Sequence, residues 1–548
     1  MPEQRPTPAG DSSQSTLPLT GAARPPTSTL DVLRNAPFRG LWGAGGAFFL
    51  GNAMHNMAAS WQMIEVSGSA FLAALVQTAA FLPMFLLSLP AGVLADTADR
   101  RRLMIGTQTV YTAAALLLAL LVVVGHVGPA TLLFFTFVLG VCTAVQSPSW
   151  NSAVSDTVTR DQLPIALTLI AMAYNGARAV GPALAGLVFS FTGSAVVIGI
   201  AALCAVAMML ATYRWPPQPR PKGKLPPERL WGGMLSGLRF VRHSPAVLSH
   251  LVRTVAYSAI GSALWALLPV VAQRQLGLGA AGFGLLMACL GGGAVTAGFF
   301  VGRLRQRMRL DVLAAGSSVI FAGAMLACAL STWHALVYVS LLFGGAAWMC
   351  MLTTLNAGVQ MAAPMWVRAR ATSMHVLCAL GSFALGSALW GAASDLAGLT
   401  PTLVAAAIFL VASLALARPF PLVVGHEKDV TPANPWEDLF IAHEPGLEDG
   451  PVAVEIAYRV QADDAPQFLD AAQLLAVPRR RDGATLWRLY RDLSDPECYC
   501  ERFIVTSWAD YLRQRERVTL ADQELEAAAR RFQIPGYPIV MRHYVAER

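Results

Sequence analysis

The chain has 548 residues, 55% of them hydrophobic and only 13% charged, with a formal net charge of +7. This composition excludes an ordinary soluble globular protein and indicates a polytopic membrane protein. The basic residues fall in short loops between apolar runs, so nucleic acid is not an expected partner.

Residues 1–36 open with a Pro-, Ser- and Thr-rich stretch and are expected to form a disordered cytoplasmic N-terminus. They contain no apolar h-region of a signal peptide. Twelve apolar spans follow, at 38–61, 71–95, 103–125, 129–148, 163–190, 194–213, 246–272, 279–302, 311–331, 334–356, 371–394 and 400–421. Each is near the roughly 20 residues needed to cross a hydrocarbon core, and in lipid each must be a helix to satisfy its backbone. A basic, Pro-rich segment at 214–245 separates two six-helix halves, 37–213 and 246–422. Within it, 226–243 has the spacing of an interfacial amphipathic helix.

A second linker, 423–450, leads to a segment of soluble composition at 451–548. Its patterning predicts strands at 452–460, 485–493, 499–508 and 538–545, with helices at 465–475 and 509–532. The order βαββαβ is the split-βαβ pattern. The expected fold class is therefore an all-α polytopic membrane protein with twelve transmembrane helices in two six-helix halves, plus a small α+β ferredoxin-like C-terminal domain. Six of the eight cysteines lie in apolar spans and read as small hydrophobes. Cys498 and Cys500 lack a second ligand cluster, so no metal and no cofactor are expected.

Charge sets the expected orientation. Arginines cluster after the second, fourth, sixth, eighth and tenth spans, whereas the opposite loops hold only Arg274 among basic residues. The protein is expected to be multi-pass in the plasma membrane with both termini cytoplasmic.

Residues 92–102, GVLADTADRRR, concentrate charge between the second and third spans, and 298–311 holds a degenerate counterpart in the second half. The loop resembles the signature of the major facilitator superfamily through Gly92, Asp96, Arg100 and Arg101, while Thr97 and Asp99 depart from it. In the fifth span Gly181, Pro182, Ala185 and Gly186 are similar to a run associated with antiporter members. FRGLW from Phe38, NGARAVGPALAG from Asn175 and the tail sequence SWADYLRQRERVTLAD resemble the branch that includes the enterobactin exporter and macrolide efflux permeases. The resemblance implies efflux of a small organic molecule, siderophore-like or drug-like, driven by protons as an antiporter, and no enzymatic activity. The twelve spans, their six-plus-six division and the degenerate counterpart from Gly298 make residues 92–102 an expected conformational latch, in which Asp96 pairs with a cation such as Arg100 or Arg101.

Polar side chains in lipid are expensive and are expected to face a cavity or another helix. Asn52, His55, Asn56, Gln77, Tyr174, Asn175 and Arg178 are the candidates for a substrate or proton pathway, with Arg178 the foremost functional charge. Trp61, Trp265, Trp348 and Trp390 could line the same space. Arg253 is expected to snorkel to the interface. Gly181, Pro182 and Gly186 are expected to kink and closely pack the fifth helix. No Asp or Glu lies near the centre of a span, which leaves coupling to His55, a boundary carboxylate or the substrate itself.

In the tail, Trp487, Trp508, Tyr511 and His543 outline a pocket without a nucleophile-base pair, which suits a binding, regulatory or dimerising role. Expected partners are thus a small-molecule substrate, membrane lipid, protons and a second copy through the tail. The alternatives are a tail enzyme acting on the substrate and a non-transporting membrane sensor or scaffold.

Overall fold

The computed structural model describes residues 29–97, 99–159, 161–215, 237–424, 427–431, 433 and 443–547, without the side chains at 88, 89, 92, 93, 95–97, 427 and 429. Twelve long helices dominate it: α1 (Ala36–Ser67), α2 (Ala70–Thr97), α3 (Arg100–Val123), α4 (Pro129–Ser155), α5 (Leu163–Thr192), α6 (Ser194–Arg214), α7 (Pro245–Val270), α8 (Ala280–Arg307), α9 (Leu310–Leu330), α10 (His334–Ala362), α11 (Met365–Ala397) and α12 (Leu399–Ala412). Among the described residues, eleven helical stretches are long and apolar enough to cross a membrane. The twelfth long helix is α1, whose 32 residues suffice in length but whose apolar run is diluted by Asn52, His55, Asn56 and Gln62. It passes the expected 61 and stops at Ser67, where Gly68 adopts φ 62 and its N–H closes on the Ile64 carbonyl.

Two expectations near the ends of the first half are corrected. Residues 1–28 lie outside the described residues, but Thr29–Arg34 is helical, and Asn35 caps α1 by accepting from the Phe38 N–H at 3.4 Å. Of the proposed interfacial helix, 226–236 lies outside the described residues, while 237–242 is helical. It does not lie only against lipid: Phe240 and Val241 are buried, and Phe240 meets Trp366 edge-on at 5.7 Å.

Within each half the helices are tied by buried side chains. Trp150 donates to the Leu41 carbonyl, and Trp390 to the Ala259 carbonyl. Arg253 does not snorkel. It is 3% exposed and pairs with Asp311 at 2.5 Å, because the first turn of α9 places a carboxylate beside it inside the bundle.

The halves meet along two helix pairs, α2 with α11 and α5 with α8. The end of the bundle that carries Arg100, Arg305 and Arg368 is called here the arginine end. At the other, far end, a methyl added at Gly391 would fall 2.4 Å from Ala74, and one at Gly186 2.6 Å from the Ala280 carbonyl oxygen. Without hydrophobic drive between helices in lipid, such small residues let backbones approach and gain dispersion contacts.

The tail contains β1 (Val452–Arg459), α13 (Ala465–Leu474), α14 (Ala476–Asp482), β2 (Leu486–Arg491), β3 (Cys498–Val505), α15 (Trp508–Glu516), α16 (Leu520–Arg530) and β4 (Val540–Val545). The sheet order is β2-β3-β1-β4 with antiparallel neighbours. The single helix expected at 509–532 is two helices, because Thr519 and Asp522 form a capping box that starts α16 afresh. Alternate residues of β1, from Val452 to Tyr458, are buried against Phe468, Ala472 and Ala529. The tail touches the linker and the second half: Arg239 of the linker donates to the Gly483 carbonyl at 3.0 Å, and the Arg517 guanidinium lies 4.1 Å over the Trp366 ring of the second half.

Candidate functional site

Polar side chains from four helices of the first half face a space between the two halves. A cavity enclosing about 990 Å³, its open mouth included, lies between them at mid-depth and is lined from α1, α2, α4, α5, α7, α8 and α11. Of the expected pathway residues, Asn52, Asn56, Gln77, Tyr174 and Arg178 converge on it. Asn52 and Asn56, like Tyr174 and Arg178, are spaced i, i+4 and so share a helix face.

His55 and Asn175 are not among the lining residues. Each stands one position from a lining residue and is turned about 100° away on its helix. His55 is fully buried, and neither ring nitrogen has a hydrogen-bond partner among the described residues. Asn175 donates to the Ala171 carbonyl of its own helix at 2.9 Å.

Among the described residues, Arg178 is the only charged side chain lining the cavity. Its guanidinium sits 5.9 Å from the Tyr174 ring centroid and 5.4 Å from that of Trp265. Tyr174 belongs to the first half and Trp265 to the second, so two π faces from opposite halves offset the missing carboxylate. The cation thereby stays available to a ligand. Tyr111 adds an outer partner, its hydroxyl donating to Asn52 Oδ1 at 3.5 Å.

Sequence reasoning missed Thr136, Thr143, Ser147, Phe49, Phe81, Met287 and Phe383, which also line the cavity. The hydroxyls of α4 stand at i, i+7 and i+11, one face of a helix, and that periodicity was the available signal. The aromatic and Met residues gave none, since apolar side chains are equally at home against lipid. Of the candidate tryptophans, only Trp265 reaches the cavity. Trp61 stacks on Phe283 across the halves at 5.6 Å, and Trp348 packs with Tyr257, Phe321 and Trp265.

Toward the far end the cavity is roofed by contacts between the halves. Asp395 of α11 accepts from Ser69 Oγ at 2.5 Å, from the Ala70 N–H at 2.9 Å and from the Phe71 N–H at 3.3 Å. The two backbone donors open α2 and have no partner inside their own helix. A carboxylate of one half thus caps a helix of the other. Arg274 donates to the Gly68 carbonyl beside it, and Thr78 to the Ala384 carbonyl at 2.8 Å.

Gly181 and Gly186 serve different contacts. A methyl at Gly181 would fall 2.8 Å from Ala53 Cβ, so this glycine seats α5 on α1 within the first half. Gly186 faces Gly284 of α8, where an added methyl would fall 2.9 Å from the opposing Cα. Pro182 is inside α5 and lines the cavity.

In the loop at 92–102, Gly92 and Asp96 fall in the last turns of α2, and the Asp96 side chain, on which the expected latch depends, lies outside the described residues. Arg100 pairs with Asp156 at 2.6 Å. Arg101 donates to the Tyr213 carbonyl and lies 5.2 Å over the Tyr213 ring. These contacts tie α3 to α4 and α6. Asp99 caps α3 by accepting from the Arg102 N–H at 3.1 Å, which gives its departure from the signature a local structural use.

In the tail, Tyr511 and His543 are 2.6 Å apart, and burial lowers the His543 pKa. Beneath them Arg479 bridges Glu501 at 3.0 Å and Glu526 at 2.8 Å, and Trp487 Nε1 donates to Glu501 at 2.9 Å. The cluster is a buried ionic core joining α14, β3 and α16.

Comparison with known proteins supplies the family. The profile of the transmembrane secretion effectors matches residues 27–548. The chain is 24% identical over 238 residues to macrolide efflux protein A of Streptococcus pyogenes, a match covering 43% of this chain and 58% of that protein. It is 26% identical over 401 residues to the multidrug efflux pump Tap of Mycobacterium tuberculosis, covering 70% of this chain and 92% of that one. Among solved structures it is similar to a bacterial homologue of the human lysosomal transporter Spinster in an inward-facing, unoccupied conformation. The TM-score there is 0.58 at 16% identity, with 71% of this chain and 97% of that chain covered.

Proposed function

The chain belongs to the transmembrane secretion effector family of major facilitator transporters, and on that premise we propose that it exports a small, drug-like organic molecule from the cytoplasm in exchange for protons. The observation that carries this reading is the mid-depth cavity shared by both halves, with Arg178 held between Tyr174 and Trp265. Such a site takes an amphipathic molecule whose rings pack on Phe49, Phe81 and Phe383 and whose acceptor or acidic group meets the guanidinium. The efflux activities of the similar macrolide and multidrug proteins support export. A siderophore-like substrate is the second reading, favoured by the same guanidinium, which suits an acidic ligand.

The mechanism is alternating access by rocking of two halves about a midplane site. The arginine end is the cytoplasmic one, placing both termini inside the cell at the plasma membrane, by the positive-inside rule. In that frame the far-end contacts form an outer seal and the described conformation is the inward-facing arm of the cycle. Substrate entering from the cytoplasm engages Trp265 and Tyr174 together. Closure on the inner side then requires the outer seal to part, and the loop at 92–102 is the candidate inner latch.

Among the described residues no carboxylate lines the cavity, so proton coupling is assigned to its boundary. The tail acts as a regulatory or dimerising module rather than an enzyme.

The test is uptake of drug-like probes into inverted vesicles with and without an imposed pH gradient. Arg178→Ala is expected to lower flux at least tenfold, while deletion of 451–548 leaves flux measurable. Flux unchanged by Arg178→Ala would remove the cavity assignment, and flux unchanged on collapse of the gradient would remove proton coupling.

A further inference from the structure

A second large space lies outside the transport cavity, on the membrane-facing side of the second half. Helices α8 and α9 both pack closely on α10 but barely on each other. The cleft between them encloses about 910 Å³, its open side included, and is almost wholly apolar. Thr296, Phe300, Leu304, Ile320, Phe343 and Cys350 are among its walls. From Thr296 it follows α8 to its end at Arg307 and reaches Met308 just beyond, about 17 Å of helix at about 1.5 Å per residue. That is the depth of one bilayer leaflet, about half of a core roughly 30 Å thick.

The cleft ends among four arginines, Arg303, Arg305, Arg307 and Arg309. Arg303, Arg307 and Arg309 are exposed. Arg305 is half-buried, with Nη1 3.5 Å from the Thr353 carbonyl and a buried Nε that has no hydrogen-bond partner among the described residues. The neighbouring carboxylate, Asp311, is engaged by the buried Arg253. Among the described residues none of the four guanidiniums has an ion pair. An apolar slot one leaflet deep therefore opens beneath a concentration of positive charge.

We propose that this cleft is a binding site for an anionic phospholipid, with an acyl chain between α8 and α9 and the headgroup phosphate on Arg303 and Arg305. The chain alone gives little selectivity, because the slot competes with lipid tails that are equally apolar. Discrimination comes from the headgroup, at about fivefold for each arginine acting on it near the membrane surface. A bound lipid would brace α9 against α8, a helix that also forms the seam with α5. The proposal rests on the position of the cleft and its charge, and not on the transport reading.

The test uses the full chain in detergent micelles, titrated with phosphatidylglycerol or phosphatidylcholine and followed by native mass spectrometry. One retained phosphatidylglycerol is expected, with at least a tenfold preference over phosphatidylcholine. Combined Arg303→Gln and Arg305→Gln should bring that preference to near one, through the loss of about fivefold for each arginine. Gly316 lines the cleft and has nothing within 4 Å of the point where a side chain would begin, so Gly316→Phe should fill the slot and abolish retention without lowering the melting temperature. Equal retention of both lipids would overturn the proposal and make the cleft a lateral entrance for neutral apolar molecules. Phosphatidylglycerol binding that survives both sets of substitutions would place the lipid elsewhere.

Discussion

Replacing Asp395 with alanine removes three hydrogen bonds that cross from one half to the other at the far end. Two of them satisfy the first N–H groups of α2, so the loss resembles that of a helix cap, typically about 1 kcal/mol. The carboxylate also faces the positive end of that helix dipole, which adds about 0.3–1 kcal/mol for an exposed group. Ser69 Oγ keeps a role as donor to water, and its bond to Asp395 is solvent-exposed, so this third bond adds little. The change weakens far-end closure by about 1–2 kcal/mol, a shift of about five- to thirtyfold in the ratio of the two states. Spin labels at Phe191→Cys and Leu396→Cys, both strongly exposed at the far end and one in each half, report the separation by double electron–electron resonance. A longer-distance population should rise in Asp395→Ala and, less strongly, in Asp395→Asn. Superimposable distance distributions would refute the capping argument, since a side chain that holds the seam cannot be removed without moving the equilibrium.

Three other substitutions follow from the same geometry. Gly186→Leu drives a side chain into the Ala280 carbonyl and Gly284 and should prop the halves apart, raising the same longer-distance population and lowering flux at least tenfold. Unchanged flux would show that the α5–α8 seam is not tight during transport. Arg253→Met leaves Asp311 half-buried without its cation and should lower stability by about 3 kcal/mol, read as a lower melting temperature in detergent. Arg479→Ala strands Glu501 and Glu526 in the tail core and should cost about 3–5 kcal/mol. Loss of the buried Trp487 fluorescence signal at lower urea concentration checks it, and an unmoved midpoint would mean the carboxylates find water.

The long helices were legible because lipid allows one backbone solution, so runs such as 103–125 and 311–331 read directly as α3 and α9. The weakest span by composition is α1, in part because Asn52 and Asn56 line the cavity. The tail sheet was equally readable from the alternation of β1, whereas the break between α15 and α16 was hidden in the Thr519–Asp522 cap inside a continuous amphipathic pattern. His55 and Asn52 carry the same signal in the sequence, a polar group in a greasy helix, yet only Asn52 reaches the cavity. A single sequence records that a residue is polar but not which way its helix is rotated against its neighbours.

The sequence by itself determined the spanning helices, the basic loops between them and the class of the tail, all of which depend on local length, periodicity and charge. Only the tertiary structure decided that Arg178 meets Trp265 from the opposite half and that Asp395 caps α2 across 325 residues of chain. The physical reason is that helices in lipid are positioned by close packing of small residues and a few polar contacts. Those terms depend on which surfaces meet, and no residue carries them alone.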